Sequence, residues 1–167
     1  MPNPYCVNEI QVSYKSHMPL RDMVSISTSE TAYKLLHSVW DQNRIELVED
    51  FKVLLLNRAC KVLGVFNVGS GSTTACVVDT KLIFVAALKT NAASIILAHN
   101  HPSGNLKPSR QDTHLTSKMQ AAGEILDIAV SDHIIVTNDG YYSFGEGMAY
   151  EKVKYGDRIY FEAQVPF

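Results

Sequence analysis

Two histidines, His99 and His101, stand two residues apart at the end of the apolar run Ser94–His99 (SIILAH). In an extended strand, residues i and i+2 project to the same side, so both imidazoles can reach one metal ion. Asp112 falls in the first turn of a helix predicted from about Pro108 to Glu124, with the proline at the first helical position. The helix dipole favours a carboxylate there, and the loop Asn100–Lys107 turns it back toward the histidine pair. Two histidines and one carboxylate, with a fourth position open, form the ligand set of a catalytic zinc site rather than a closed structural one. No cysteine stands near them. Zn2+ is therefore the expected cofactor, held by His99, His101 and Asp112.

Hydrolysis at such a site also needs a general base beside the attacking water and a donor for the developing oxyanion. Ser109, one helical turn before Asp112, is the candidate donor, with a plain capping role as its competitor. The candidate base is Glu49, which precedes the apolar strand Phe51–Leu56 and would sit at its rim. Glu46 and Asp50 are neighbours with comparable claims. Asp132 and His133 read as supporting residues, since the ligand set is already filled. His17, His37 and His114 have no partner at ligand spacing. Ser103 and Gly104 read as residues that shape the loop. Gly69-Ser70-Gly71-Ser72 lacks the lysine and the length of a phosphate-binding loop.

The elements around these residues alternate between strands and helices. Residues 1–26 read as an N-terminal arm, with a short strand over Glu9–Lys15. A helix is predicted from Ser27, with Ser27 and Glu30 as a capping box and Ala32, Leu35, Leu36, Val39 and Trp40 as its apolar face. Asp41-Gln42-Asn43 would end it. Phe51–Leu56 reads as a strand buried on both faces, followed by a second over residues 60–68 and a third over Thr74–Val78. Residues 79–91 read as a helix with Leu82, Phe84, Val85 and Leu88 as its apolar positions. Leu115, Met119, Ala122 and Leu126 give the next helix its apolar side. A strand over residues 127–137, the turn Asn138-Asp139-Gly140 and the return strand Tyr141–Phe144 follow. The tail, residues 149–167, reads as one more strand or a docked extension. The class is α/β (α+β), one domain with a mixed central sheet flanked by helices.

Composition supports that reading. The chain has 167 residues, 46% of them hydrophobic and 19% charged, which suits one folded domain and opposes disorder. Fifteen basic residues against 17 acidic ones give a formal charge of −2. Tight charge-driven binding to DNA and polybasic membrane anchoring are not expected from that balance. The three cysteines, Cys6, Cys60 and Cys76, lack C-x-x-C spacing and read as small buried hydrophobes. With no signal sequence and no membrane-length apolar run, a cytoplasmic protein is expected.

The pattern H-x-H-P, six residues, S-x-x-D over His99–Asp112 resembles the signature of the JAMM (MPN-type) metalloproteases. Together, HNHPSG, PS-x-x-D, Asp132-His133-Ile134-Ile135 and the upstream Glu49-Asp50-Phe51 resemble the RadC branch of that family, over residues 27–148. At about 5% per residue type, five fixed positions coincide on the order of 10⁻⁷ per start, so chance explains the match poorly. The resemblance implies a deaminase-like fold, zinc on His99, His101 and Asp112, a water as fourth ligand, Glu49 as base and Ser109 as oxyanion donor. It implies hydrolysis of peptide or isopeptide bonds, with a peptide or protein as substrate.

Two alternatives stay open. Some members of the wider group act as scaffolds without turnover, and a zinc site of this type can attack a phosphodiester. A DNA-repair role is weakly supported, since the 26 residues before the matching part show no helix-hairpin-helix pattern. A homodimer through the arm or the tail is a further expectation. Substrate choice is expected to lie in the loops Gly69–Thr73 and Asn100–Lys107.

Overall fold

Residues 11–71, 78–155 and 157–164 are described by a computed structural model of the chain. In chain order the elements are α1 (Ser29–Val39), β1 (Asp50–Leu56), β2 (Val62–Ser70), α2 (Thr80–Lys89) and β3 (Ser94–Asn100). Then come α3 (Arg110–Ile125), β4 (Ala129–Val136), β5 (Gly140–Ser143), β6 (Met148–Tyr155) and β7 (Arg158–Ala163). The strands form one mixed sheet in the order β2-β1-β3-β4-β5-β6-β7. Only β3 and β4 pair in parallel among the described residues. A parallel pair needs a long crossover, and α3 supplies it. This is the single α/β domain with a mixed sheet that the sequence predicts.

Alternation along the central strands divides the core. Leu54, Leu56, Ile96, Ala98, Ile134 and Val136 pack with α1 on one face. Phe51, Val53, Leu55, Ile95 and Leu97 pack with α2 and α3 on the other. Because β1 and β3 are covered on both faces, they read as continuous apolar runs. The same alternation sends His99 to the α2/α3 side and Asn100 to the α1 side.

Several local expectations are corrected. The N-cap of α1 is Thr28, not Ser27. Its hydroxyl accepts from Thr31 N, and the Thr31 hydroxyl accepts from Thr28 N. Glu30 instead pairs with Lys34, one turn on. Tyr33 joins Ala32, Leu36 and Trp40 in the core, while Val39 is 44% exposed. In α2, Ile83, Phe84 and Ala87 face the sheet, and Leu82, Val85 and Leu88 are exposed. That helix is apolar nearly all round, so spacing alone does not choose its buried side. Leu126 is likewise exposed, at the C-cap of α3.

β2 runs on to Ser70, which pairs with Asp50, so Gly69 and Ser70 are strand rather than loop. The expected strand Thr74–Val78 lies outside the described residues up to residue 77, and Val78 precedes α2 without strand pairing. In the arm, residues 11–15 form no strand, and Glu9 and Ile10 lie outside the described residues. The arm does touch the domain. Tyr14 donates to the Leu63 carbonyl, Ser25 bridges Lys61, and Met23 and Ile26 are buried. Cys60 is exposed and holds φ +54 in the β1–β2 turn, so it is no core residue; Cys6 and Cys76 lie outside the described residues. Beyond Met148 the chain forms two strands, β6 and β7, that extend the sheet.

Candidate metal centre

His99 is the last inward residue of β3 on the α2/α3 face. Its ring is 2% exposed and lies parallel to that of Phe51, on the neighbouring strand. His101 follows just past the strand end, where its backbone N–H donates to the Val136 carbonyl. Its ring is held from behind, because Nδ1 lies 2.5 Å from the Asn105 carbonyl. A carbonyl can only accept, so Nδ1 carries the proton. The turn that brings Asn105 round closes with Gly104 N–H on the His101 carbonyl. Gly104 sits there at φ +75, a conformation a side chain would strain. Ser103 Oγ accepts from Asn105 N within the same turn.

Asp112 reaches the pair from the first turn of α3. Ser109 is the N-cap of that helix, and the two residues form a capping box. Asp112 N donates to Ser109 Oγ at 3.1 Å, and Ser109 N donates to Asp112 Oδ2 at 2.7 Å. The cap thus fixes the carboxylate that faces the histidines. His99 Nε2 lies 3.3 Å from Asp112 Oδ1, His101 Nε2 lies 3.7 Å from Asp112 Oδ2, and the two Nε2 atoms are 3.1 Å apart.

The Nε2–Nε2 and His99–Asp112 separations lie near the edges of a small tetrahedron, and one ligand atom from each residue falls within 4.8 Å of the others. Zinc bonds of about 2.0–2.1 Å imply ligand–ligand edges of about 3.4 Å. The donor set, two imidazoles and a carboxylate, is also the one zinc takes. Among the described residues it is the one such cluster. Electrostatics favours a cation there. Burial works against the Asp112 carboxylate, but the facing His101 and His99 rings and the Ser109 cap outweigh it and hold the carboxyl well below the usual range. Burial also works against a charged His101, yet Asp112, the Asn105 carbonyl and Glu49 together raise its pKa.

The cluster opens into a cavity of about 490 Å³, within the range of small-molecule sites. Glu49 and Ser109 both line it. Ser109 Oγ accepts from Asp112 N, which leaves its own proton free to donate. The rival acidic residues are engaged elsewhere. Asp50 is buried beside Arg44 at 3.4 Å, and Glu46 accepts from Asn138 Nδ2 at 2.6 Å. Phe51, Val78 and Leu115 form an apolar wall, and Lys107 and Gln111 lie on the rim. Of the expected specificity loops, the second lines the cavity; residues 72–73 of the first lie outside the described residues.

Asp132 and His133 part company. Asp132 faces the α1 side, where its carboxylate accepts from His133 N, Gly145 N and Ser143 Oγ. His133 is fully buried behind the cluster, with Nε2 at 2.8 Å from His99 Nδ1. Burial, and then the neighbouring His99, push its pKa well below the ordinary value. His37 contacts Asn138 and the Tyr33 ring, and His17 and His114 are exposed, all away from the cluster.

Two residues escaped the sequence reading. Asn100 is fully buried, and its side chain brackets Glu49. Nδ2 donates to the Ile45 and Val48 carbonyls at 2.6 and 2.8 Å, and Oδ1 accepts from Asp50 N at 2.7 Å. Thr116 lies one turn after Asp112 and contacts His133 at 2.6 Å. A polar residue on the buried side of α3, four after a ligand, was the available signal for Thr116.

A mixed sheet with two histidines at a strand end, and a carboxylate at the next helix start, defines a JAMM/MPN-related domain with a candidate metal site. Residues 26–150 match the RadC-like JAB domain, and the chain belongs to that family. It is 45% identical over 96 residues to a UPF0758 protein of Flavobacterium johnsoniae, covering 58% of this chain and 42% of the relative. A UPF0758 protein of Porphyromonas gingivalis is 38% identical over 131 residues, 77% of this chain and 55% of the relative. One of Clostridium kluyveri is 35% identical over 138 residues, 83% and 59% respectively. The chain thus spans about half the length of the curated relatives it matches. No helix among the described residues is long and apolar enough to cross a membrane.

Proposed function

We propose that the chain is a zinc-dependent hydrolase of the metallopeptidase or isopeptidase type. The observation that carries this reading is the convergence of His99, His101 and Asp112 at the base of a cavity that Glu49 and Ser109 also line. His99, His101 and Asp112 would hold the ion. Zinc bound there would supply Lewis acidity and a water acidified toward neutral pH.

The chain's own residues do the rest. Glu49 takes the proton of the attacking water and returns it to the leaving amine. The Ser109 hydroxyl donates to the oxyanion that develops on the substrate carbonyl. Phe51, Val78 and Leu115 shield one side of the cavity, and the rim of Asn105, Lys107 and Gln111 meets the polar substrate backbone. A peptide or an isopeptide-linked protein is the substrate class this arrangement suits. A carboxylate base, one hydroxyl donor and an amine leaving group fit amide hydrolysis. The formal charge of −2 gives no corresponding support for a DNA substrate.

The test separates metal from turnover. Zinc content is measured by mass spectrometry on protein purified without chelator, beside a screen of peptides and isopeptide-linked conjugates. Wild type is expected to carry about one zinc per chain, the stoichiometry of one His-His-carboxylate site. Glu49→Gln is expected to keep that zinc and lose at least about 100-fold in turnover, the scale of a lost general base. His99→Ala is expected to lose both. Full turnover in Glu49→Gln would remove Glu49 from the reaction, and a wild type that binds no added zinc would overturn the hydrolase reading.

A further inference from the structure

The hydrogen bonds behind His99 have a direction that can be deduced from one end. The Thr116 hydroxyl lies 2.7 Å from the Asp112 backbone carbonyl, and a carbonyl oxygen only accepts. The single hydroxyl proton is therefore spent on Asp112. Thr116 Oγ1 also lies 2.6 Å from His133 Nδ1, so there it accepts, and His133 Nδ1 carries a proton. A neutral imidazole protonated on Nδ1 has a bare Nε2. That bare Nε2 lies 2.8 Å from His99 Nδ1, which must then donate to it. As a neutral imidazole, His99 in turn is protonated on Nδ1 and bare on Nε2, the atom that points at Asp112 and His101.

From this chain we infer that Thr116 and His133 are positioning residues that fix His99 in the tautomer whose Nε2 lone pair faces the metal-ligand cluster. Neither touches the cavity; both are buried, at 5% and 0% exposure. The Phe144 ring stacks nearly parallel to that of His133 at 4.9 Å, which fixes the imidazole plane at a 54° tilt to the His99 ring. The relay begins on the backbone of Asp112 and ends on His99, so the helix that carries one ligand sets the protonation of another on β3. His101 needs no such relay, because the Asn105 carbonyl fixes its tautomer directly. The inference rests on the metal-site reading proposed above.

The hydroxyl of Thr116 is the point to break. Zn2+ affinity of the full chain is measured by competition with a chromophoric chelator. Thr116→Ser keeps the hydroxyl and is expected to bind within about twofold of wild type. Thr116→Val keeps the shape and is expected to bind about 10- to 100-fold more weakly, the usual cost of losing a group that orients a ligating histidine. Equal affinities in the two variants would overturn the inference. His133→Gln, whose side-chain oxygen can still accept from His99, is expected to bind more tightly than His133→Leu. Because the leucine variant can fail to fold, the Thr116 pair decides. Nitrogen-15 spectra of the imidazoles in metal-free wild type are expected to show His99 protonated on Nδ1 alone and in Thr116→Val a mixture of tautomers. A wild-type His99 protonated on Nε2 would sink the inference whether or not zinc binds. A wild type without zinc affinity but with the expected spectrum would instead sink the hydrolase reading alone.

Discussion

The two faces of the central sheet use the same polar residue types to opposite ends, and Asp112 and Asp132 show it best. On the α1 side, Asp132 is saturated by two backbone N–H groups and a hydroxyl, all at 2.7–2.8 Å. Burial still raises its pKa. Asn100 spends its amide wholly on backbone partners, and the Tyr33 hydroxyl donates to the Thr137 carbonyl. On the α2/α3 side, Asp112 and two imidazole Nε2 atoms face each other at 3.1–3.7 Å. There are more lone pairs than protons between them. A saturated buried polar group fixes backbone, whereas an acceptor-rich one waits for a cation. On β3 the two kinds are adjacent, His99 and Asn100, separated by the one-residue alternation of the pleat, while Asp112 joins His99 from α3.

Asn100→Ala strikes the saturated side hardest. It strands two carbonyls and one N–H around Glu49 in a largely buried setting. At about 1–3 kcal/mol per orphaned group, partly relieved by relaxation, a loss of about 3 kcal/mol is expected in denaturant unfolding. Zinc stoichiometry at saturating metal should not change. A variant that lost metal while keeping its stability would erase the division between the faces.

A smaller effect lies at the entrance to α1, which covers the saturated face. Thr28→Ala removes the cap and should cost about 1 kcal/mol in the same assay, while Ser27→Ala should stay within about 0.5 kcal/mol. Comparable losses would return the cap to Ser27.

The smallest effect concerns pH. Burial pushes the Tyr141 hydroxyl up to about 12, against an opposing hydrogen bond to Ser29. An unfolded tyrosine ionises near about 10. The folded state therefore holds this proton longer, and its contribution to stability is intact below about pH 10 and is lost between about pH 10 and 12. Stability measured across that window should fall less steeply in Tyr141→Phe than in wild type. An unchanged slope would show that Tyr141 ionises equally in both states.

The ligand trio was legible because metal coordination demands fixed residue types, and the i, i+2 and helix-start positions translate directly into geometry. Glu49 could be nominated but not separated from Glu46 and Asp50, since a rim carboxylate has no periodic signature. Arg44 and Asn138 engage those rivals, and both contacts cross between elements. The buried side of α2 was not legible for a related reason. An apolar helix has no moment strong enough to name its partner.

The sequence by itself determined the class of fold, a mixed sheet with interleaved helices, and the three residues that gather at the strand end. Each follows from local rules of period, turn chemistry and ligand type. Only the tertiary structure decided that Asn100 clamps the loop carrying Glu49, and that Thr116, His133 and His99 form one directed chain. Those bonds join residues 17 to 55 positions apart. Their geometry depends on which strands become neighbours and in what register, and no short window of residues records that.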